Sequence, residues 1–169
     1  MRRTAVPGHE RLRSRYRPRV IRLLLIGESP PANGTFFYRG DSLLFRYTSE
    51  AFAKALNPSL VQGDGFLARF REAGCYLEDL CPFPINDLAG VARRRARREG
   101  ARALAVRLRS GEPAHVVCVM KAIAPLVRRQ LDAVGVRPLT FRAVPFPANG
   151  HQRDYVGELA SIFADLVRL

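Results

Sequence analysis

The side chains best suited to chemistry lie in three short polar segments, of which the first is GESPPANGTFFY (27–38). In it the carboxylate of Glu28, a group that can position or activate water, comes directly before a serine and two prolines, namely Ser29, Pro30 and Pro31. Two aromatic rings close the segment, and either Phe36 or Phe37 is suited to stack on a flat ligand such as a base. The segment lacks both the GxxxxGKS/T pattern of phosphate-binding loops and the GxGxxG pattern of dinucleotide-binding folds.

Two further segments offer polar side chains of a similar kind. In EDLCPFPIND (78–87), Glu78 and Asp79 close an apolar stretch, and the alternation of a strand directs one carboxylate to each face. One carboxylate is expected to face the ligand site, with an ion pair to a helix as the alternative. The third segment, PFPANGHQRDY (145–155), carries hydrogen-bond donors close to a helix start, which are Asn149, His151, Gln152 and Arg153. A helix start attracts anions, and the alternative is that Asn149 or Asp154 caps the helix.

Short apolar runs and helical periods alternate along the chain and predict the elements that carry these segments. The predicted strands are 20–27, 75–80, 114–120 and 138–146. The predicted helices are 48–57, 63–74, 88–108 with a break allowed at Gly100, 124–135 and 155–166. Four alternations of strand and helix predict an α/β fold, a three-layer α/β/α sandwich with a four-stranded, mostly parallel sheet. Ligands bind beyond the carboxyl ends of such strands, so all three polar segments are expected at one edge of the sheet.

The net charge of +13 is concentrated in two arginine-rich stretches. Residues 1–22 and residues 93–109 each contain eight Arg and one Glu, so each contributes +7 and the remaining chain is close to neutral. Such patches attract phosphate backbones, and three arginines at helical spacing are expected to contact nucleic acid: Arg94, Arg98 and Arg102. The alternative is a solvated basic face in an arginine-rich protein, since only two of the 28 basic residues are Lys.

The length of 169 residues predicts a single domain, which we place at 20–169. Residues 1–19 show no regular apolar period and are expected to form a basic N-terminal arm, with disorder or a misassigned start codon as alternatives. The sequence has no apolar run long enough for a membrane span, no apolar core of a secretion signal, and no CxxC pairing among its three cysteines. We therefore expect a reduced, cytoplasmic protein without membrane contact, associated with the nucleoid if it binds DNA.

The order of the motifs resembles that of the uracil-DNA glycosylase superfamily over residues 20–165. The likeness lies in a strand followed by GESPP and aromatic residues, a strand ending in YLEDL, and a strand followed by PFPANG and a helix. That family has a Gly-x-x-Pro loop with a Phe that stacks on the flipped base, an Asn that reads the base, and a His-Pro-Ser-type loop that enters the minor groove. The resemblance implies a uracil-DNA glycosylase-like α/β fold.

Position by position, GESP supplies the Gly-x-x-Pro, with Glu28 similar to the Gly-Glu of the iron–sulfur branch and Ser29 where other branches have Asp or Asn. Asp79 falls where the family has its base-reading Asn, and Phe146 of FPAN replaces the His. His151 lies five residues further along the chain. The four cysteines of the iron–sulfur branch are missing, so no cluster, other cofactor or metal is expected.

The resemblance implies a divergent DNA glycosylase that hydrolyses the N-glycosidic bond of a flipped, damaged base in base excision repair. The residues that this implies for catalysis are Glu28, Ser29 and His151. Those implied to bind the base are Phe36 or Phe37, Asp79 and Asn149. Those implied to contact DNA are Pro30, Pro31, Phe146, Pro147 and Arg153, together with Arg94, Arg98 and Arg102.

Damaged or single-stranded DNA is the expected partner, and the chain is expected to be a monomer. One rival hypothesis is a nucleic-acid-binding protein of the same fold without chemistry, which the replacement of the family His favours. The retained Glu28 favours an enzyme instead. The other rival is a hydrolase that acts on small nucleosides or nucleotides.

Overall fold

The centre of the protein is a four-stranded sheet in which every strand is parallel to its neighbours. The computed structural model describes residues 7–56 and 65–167. The strands are β1 (Leu23–Gly27), β2 (Cys75–Asp79), β3 (His115–Cys118) and β4 (Thr140–Ala143), in the order β2-β1-β3-β4. All five residues of β1 are buried, because this strand lies inside the sheet with a neighbour on each side. The predicted α/β class and the parallel four-stranded sheet are confirmed.

Helices pack in pairs around this sheet, as expected of a three-layer sandwich. Their bounds are α1 (His9–Arg15), α2 (Leu43–Leu56), α3 (Gly65–Glu72), α4 (Gly90–Leu108), α5 (Ala124–Ala133) and α6 (Gln152–Val167). Helix α2 packs along α6, and α4 packs along α5. None of the helices within the described ranges is long and apolar enough to cross a membrane.

Some helices begin or continue at residues that the apolar pattern did not predict. Helix α2 starts five residues before the predicted start because the Ser42 hydroxyl accepts the Phe45 N–H at 3.1 Å and caps it. Thr48, at the predicted start of this helix, is buried and shares a 2.6 Å hydrogen bond with the Tyr155 hydroxyl of α6. Helix α4 continues through Gly100 without a break. The predicted helices 48–57 and 63–74 extend into residues 57–64, which lie outside the described residues.

The first segment is fastened to the edge of the sheet by an aromatic side chain. Strand β2 has a sheet neighbour on one side only. The Tyr38 hydroxyl, in a 3₁₀ turn at Phe37–Arg39, accepts the Leu77 N–H at 2.7 Å and donates to the Leu77 carbonyl at 2.8 Å. This hydroxyl pairs polar groups at a free edge, which otherwise remain unsatisfied. It therefore fixes the loop that follows β1 across β2.

The residues that the structure describes in the expected N-terminal arm include a helix that the sequence did not predict. Helix α1 occupies His9–Arg15 and rests against the 3₁₀ turn of the first segment. Its two buried residues are His9 and Arg13, which an apolar pattern does not register. At seven residues the helix is also too short to display a period.

Candidate functional site

Glu28 extends from the carboxyl end of β1 into a clamp formed by two arginines of α4. Its Oε2 accepts Arg93 Nη2 at 2.5 Å and its Oε1 accepts Arg93 Nε at 3.1 Å, while Arg97 Nε donates to Oε1 as well. Only 7% of the Glu28 side chain is exposed. Burial raises the pKa of Glu28, but hydrogen bonds from Arg93 and Arg97 outweigh burial and bring the pKa below its usual value. Glu28 is therefore a fixed negative charge rather than a ready proton acceptor at neutral pH.

Asp79 lies beside Glu28, at the carboxyl end of the adjacent strand. The register pairs it with Gly27, and a Cβ on Gly27 would stand 2.6 Å from Asp79 Oδ1, so only glycine leaves room for this carboxylate. Asp79 Oδ2 accepts Arg13 Nη2 of α1 at 3.0 Å, with 6% of the Asp79 side chain and 8% of the Arg13 side chain exposed. Burial raises the pKa of Asp79 to about 6, although Arg13 opposes the rise. Asp79 is thus paired with a helix, which is the alternative considered for this strand end, and a ligand-facing role stays a prediction.

Glu78 makes the alternative contact considered for this strand end, an ion pair to a helix. Its Oε1 accepts Arg107 Nη2 of α4 at 2.5 Å and Arg107 Nε at 3.0 Å. Alternation along β2 thus places the two neighbouring acids against different helices, with Asp79 on α1 and Glu78 on α4.

Both candidate rings are buried in the core, with Phe36 1% and Phe37 3% exposed. Phe37 meets its aromatic neighbours edge-on or tilted, namely Tyr38, Phe45, Phe66 and Phe70. Core side chains cover the Phe37 ring in this conformation, and a stacking role for either ring stays a prediction. Phe36 is held by its own N–H, which donates to Asp41 Oδ1 at 2.6 Å.

The face of Phe36 is occupied by a ring from α1. The imidazole of His9 lies parallel to it, with the ring centroids 3.8 Å apart and an interplanar angle of 4°. His9 and Arg13 are four residues apart and therefore share one face of α1, so that one covers Phe36 and the other reaches Asp79. Sequence reasoning missed both residues, although the spacing of a His and an Arg on a short helix was the available signal.

Ser29 connects the loops that follow β1 and β2. Its hydroxyl donates to Asn86 Oδ1 at 3.5 Å and accepts the Ile85 N–H at 3.4 Å. It therefore serves the shape of the site, whereas its implied catalytic role stays a prediction. The adjoining Pro30 is buried and Pro31 half-buried, and their implied DNA contacts stay predictions.

The third segment follows β4 at the same edge of the sheet, but β3 lies between β4 and β1. Asn149 has the left-handed φ of 52° in an exposed turn. The His151 side chain is 59% exposed and its Nδ1 lies 3.8 Å from Asp154 Oδ2. Pro147 is buried, Phe146 is half-buried and Arg153 is exposed, and their implied DNA contacts stay predictions. The structure places Glu28 beside Asp79 and links Asp79 to Phe36 through Arg13, and it pairs His151 with Asp154 rather than with either acid.

A cavity of about 480 Å³ opens beside Asp79, between α1, the end of β2 and α4. Its charged and polar walls include Arg13, Arg17, Tyr76, Glu78, Asp79 and Arg107. The volume lies within the range of small-ligand pockets, about 300–1,000 Å³. No group of three or more His, Cys, Asp or Glu among the described residues is arranged to hold a metal ion.

Outside this cavity, α4 presents a row of exposed arginines. Arg94, Arg98 and Arg102 are exposed, and a spacing of four residues places them on one side of the helix at steps of about 6 Å. The same helix directs Arg93 and Arg97 inward to Glu28. Helix α4 therefore forms one wall of the site with some arginines and a basic outer surface with others.

No protein-family model matches the sequence, and no curated protein shows a significant match to it. The functional interpretation accordingly rests on the geometry of the site and on the chemistry of its side chains.

Proposed function

We propose that the protein binds nucleic acid through the outer surface of α4. The observation that carries this proposal is the arginine row Arg94, Arg98 and Arg102. All three side chains are exposed, and within the described part of the chain none of them forms an ion pair. Arginines free of carboxylates are available for phosphates, to which guanidinium groups bind with matched geometry.

The test compares two triple variants that remove the same charge. In the first, Arg94, Arg98 and Arg102 are replaced by Gln. In the second, three exposed arginines outside α4 are replaced in the same way, namely Arg46, Arg129 and Arg137. We expect the first variant to lose at least tenfold in affinity for a duplex or single-stranded oligonucleotide, and the second to lose much less. Equal losses would show that only net charge matters and would contradict a binding surface on α4.

The second candidate function is excision of a base at the carboxyl ends of β1 and β2. It is supported by the parallel stack of the His9 ring on Phe36, and by the ion pair of Arg13 on the same helix with the buried Asp79. Excision requires an extruded base, because a duplex hides the glycosidic bond. In this proposal Phe36 stacks on the base and Asp79 binds its edge.

The chemistry that Glu28 supports is electrostatic. Glycosidic cleavage passes through a cation-like sugar, which a nearby carboxylate stabilises. Arg93 and Arg97 keep Glu28 ionised, which favours this role over that of a general base, and the sugar cation has to compete with both guanidinium groups for the carboxylate. A strand-cleavage assay on oligonucleotides that each contain one altered base tests excision directly. Cleavage after alkali treatment supports the glycosylase, whereas binding without cleavage supports a binding protein of the same fold, and release of bases from free nucleosides supports a nucleoside hydrolase.

A further inference from the structure

Among the residues that the structure describes, the buried side-chain nitrogen and oxygen atoms without hydrogen-bond partners all belong to helix α1. They are Nδ1 and Nε2 of His9 and Nε of Arg13. Both side chains are more than nine-tenths buried, so solvent does not satisfy these atoms. Buried polar atoms without partners destabilise the arrangement that buries them. The docked position of helix α1 therefore leaves buried side-chain nitrogens without hydrogen bonds, which the described elements around it do not.

The two contacts that seat α1 are those that a nucleobase would make there. His9 supplies a flat nitrogen-containing ring parallel to Phe36 at 3.8 Å, which is the geometry of a stacked base. Arg13 supplies an N–H donor to Asp79 at 3.0 Å, which is the geometry of a base edge bound by a carboxylate. The Arg13 guanidinium, which is itself planar, also lies 5.6 Å from the centre of the Phe36 ring.

We propose that α1 is an internal occupant of the base site, with His9 in place of the base and Arg13 in place of its hydrogen-bonding edge, and that a guanine-type base displaces it. This inference rests on the proposed function of the site in holding an extruded base. The ligand class follows from Asp79. An ionised carboxylate only accepts hydrogen bonds, so the edge that faces it must donate. Guanine presents two adjacent donors, N1–H and the 2-amino group, and in this respect resembles the guanidinium that it would replace.

Displacement is feasible because α1 is short. An isolated helix of seven residues is unstable in water, so α1 depends on its docking. Besides His9 and Arg13, the docking contacts include Leu12, which packs against the core, a Tyr16–Tyr38 stack with centroids 5.8 Å apart, and a bond from Arg71 Nη1 to the Arg15 carbonyl at 3.2 Å. Just beyond the helix, the Arg17 guanidinium lies 5.2 Å from the centre of the Tyr76 ring. Release leaves the sheet and the helix pairs α2–α6 and α4–α5 unchanged.

Hydrogen exchange on the intact chain tests displacement. We expect saturating duplex oligonucleotide with one bulged guanine to increase the exchange rate of the α1 amides at least tenfold. The same oligonucleotide with a bulged thymine should have little effect, and exchange in α6 should stay unchanged in both cases. Unchanged or slower exchange of α1 at saturation with the bulged guanine would overturn the inference.

Variants of His9 with opposite expected effects test the site with guanosine as the probe. His9→Ala vacates the stacking position and should bind guanosine at least tenfold more tightly than the native protein. His9→Phe keeps a ring on Phe36 without the two unpartnered nitrogens, and should bind guanosine at least tenfold more weakly. Arg11→Ala, an exposed position on the same helix, is the control and should behave as the native protein does.

The outcomes separate this inference from the proposed function. Guanosine binding that follows the expected order, together with no binding of oligonucleotides, would refute nucleic-acid binding by α4 and support the base site. Oligonucleotide binding that depends on the α4 arginines, with equal guanosine binding by native, His9→Ala and His9→Phe proteins, would support the proposed function and overturn the inference. The melting temperature of each variant establishes that it is folded.

Discussion

At the scale of single residues, the acids of the site are ion-paired to arginines that are distant in sequence. Asp79 pairs with Arg13, and Glu28 with Arg93 and Arg97. The sequence pointed to both acids because they close buried strands. It did not reveal their partners, because an arginine-rich chain offers many candidates and packing selects among them. The same uncertainty affected Phe36, because its ring face is covered by His9 of α1 rather than by a neighbour in sequence.

The pairing of Asp79 predicts a pH-dependent effect of Arg13→Met. Burial raises the pKa of Asp79 from 3.8 to about 6, so this carboxyl contributes stability that is complete below pH 3.8 and is lost as pH rises through about 6. Removing Arg13 raises that pKa further, because Arg13 opposes the rise. The variant should therefore lose up to about 3–5 kcal/mol at about pH 8, where Asp79 is charged without a partner, and less at about pH 5.

Urea unfolding of the native protein and Arg13→Met at both pH values measures this difference. Arg11→Met, on the exposed side of α1, provides the control and should cost little at either pH. A loss from Arg13→Met that is equal at the two pH values would show that Asp79 is not its electrostatic partner.

Glu28→Gln separates a catalytic carboxylate from a structural one. If Glu28 stabilises the developing sugar cation, the variant should lose about 10²-fold or more in excision rate, because the amide carries no charge. Nucleic-acid affinity should persist, since the change removes negative charge beside Arg93 and Arg97. Glu99→Gln, an exposed acid paired with Arg95 on α4, is the matched control. A Glu28→Gln protein that keeps its excision rate but melts at a lower temperature would assign Glu28 a structural role.

At the scale of elements, α4 approaches the end of β2 more closely than a side chain allows. A Cβ on Gly100 would lie 2.5 Å from the Leu80 carbonyl oxygen and 3.1 Å from Cys81 Sγ. The glycine that suggested a helix break in the sequence is thus a contact point inside a continuous helix. The sequence alone predicts that a glycine weakens a helix. The structure shows that Gly100 leaves room for the backbone of Leu80, just after β2.

This contact predicts opposite effects of two glycine-to-alanine changes. Gly100→Ala should destabilise the protein by about 1–3 kcal/mol, because backbone atoms must shift and this outweighs the gain of about 1 kcal/mol in helix propensity. Gly157→Ala on α6 meets nothing within 4 Å and should stabilise by up to about 1 kcal/mol. Midpoints of urea unfolding measure both changes. Stabilisation by Gly100→Ala would contradict the close packing of α4 on the strand end.

The elements that could be predicted are those whose apolar pattern is sufficient by itself. The strands β1 and β3 read as buried runs, and α5 carries its proline near the start. Helix α1 could not be predicted in this way, because its buried residues are His9 and Arg13. Their burial depends on Phe36 and Asp79, which only the assembled fold brings within reach.

At the scale of the whole molecule, the basic side chains lie at both ends of the sheet. The arginine row of α4 belongs to the helix that flanks the carboxyl-end site. At the amino ends of β1 and β2 a second basic groove of about 590 Å³ is lined by Arg17, Arg19, Arg22 and Arg71. The two arginine-rich stretches carry equal net charge, but Arg13 of the first is buried in an ion pair. The fold therefore makes the two basic regions unequal for a ligand bound at the carboxyl-end site.

This arrangement predicts which arginines determine the salt dependence of binding. Each phosphate contact on duplex DNA contributes about 0.9 to the slope of log affinity against log salt. If a base occupies the carboxyl-end site, the backbone lies along α4. Replacing Arg94, Arg98 and Arg102 by Gln should then reduce the slope by up to about 2.7, because three contacts are lost. Replacing Arg19, Arg22 and Arg71 by Gln removes the same charge at the opposite end and should leave the slope almost unchanged. Titrations of a labelled duplex at several salt concentrations measure both slopes, and a larger reduction from the second variant would place the nucleic acid on the amino-end groove instead.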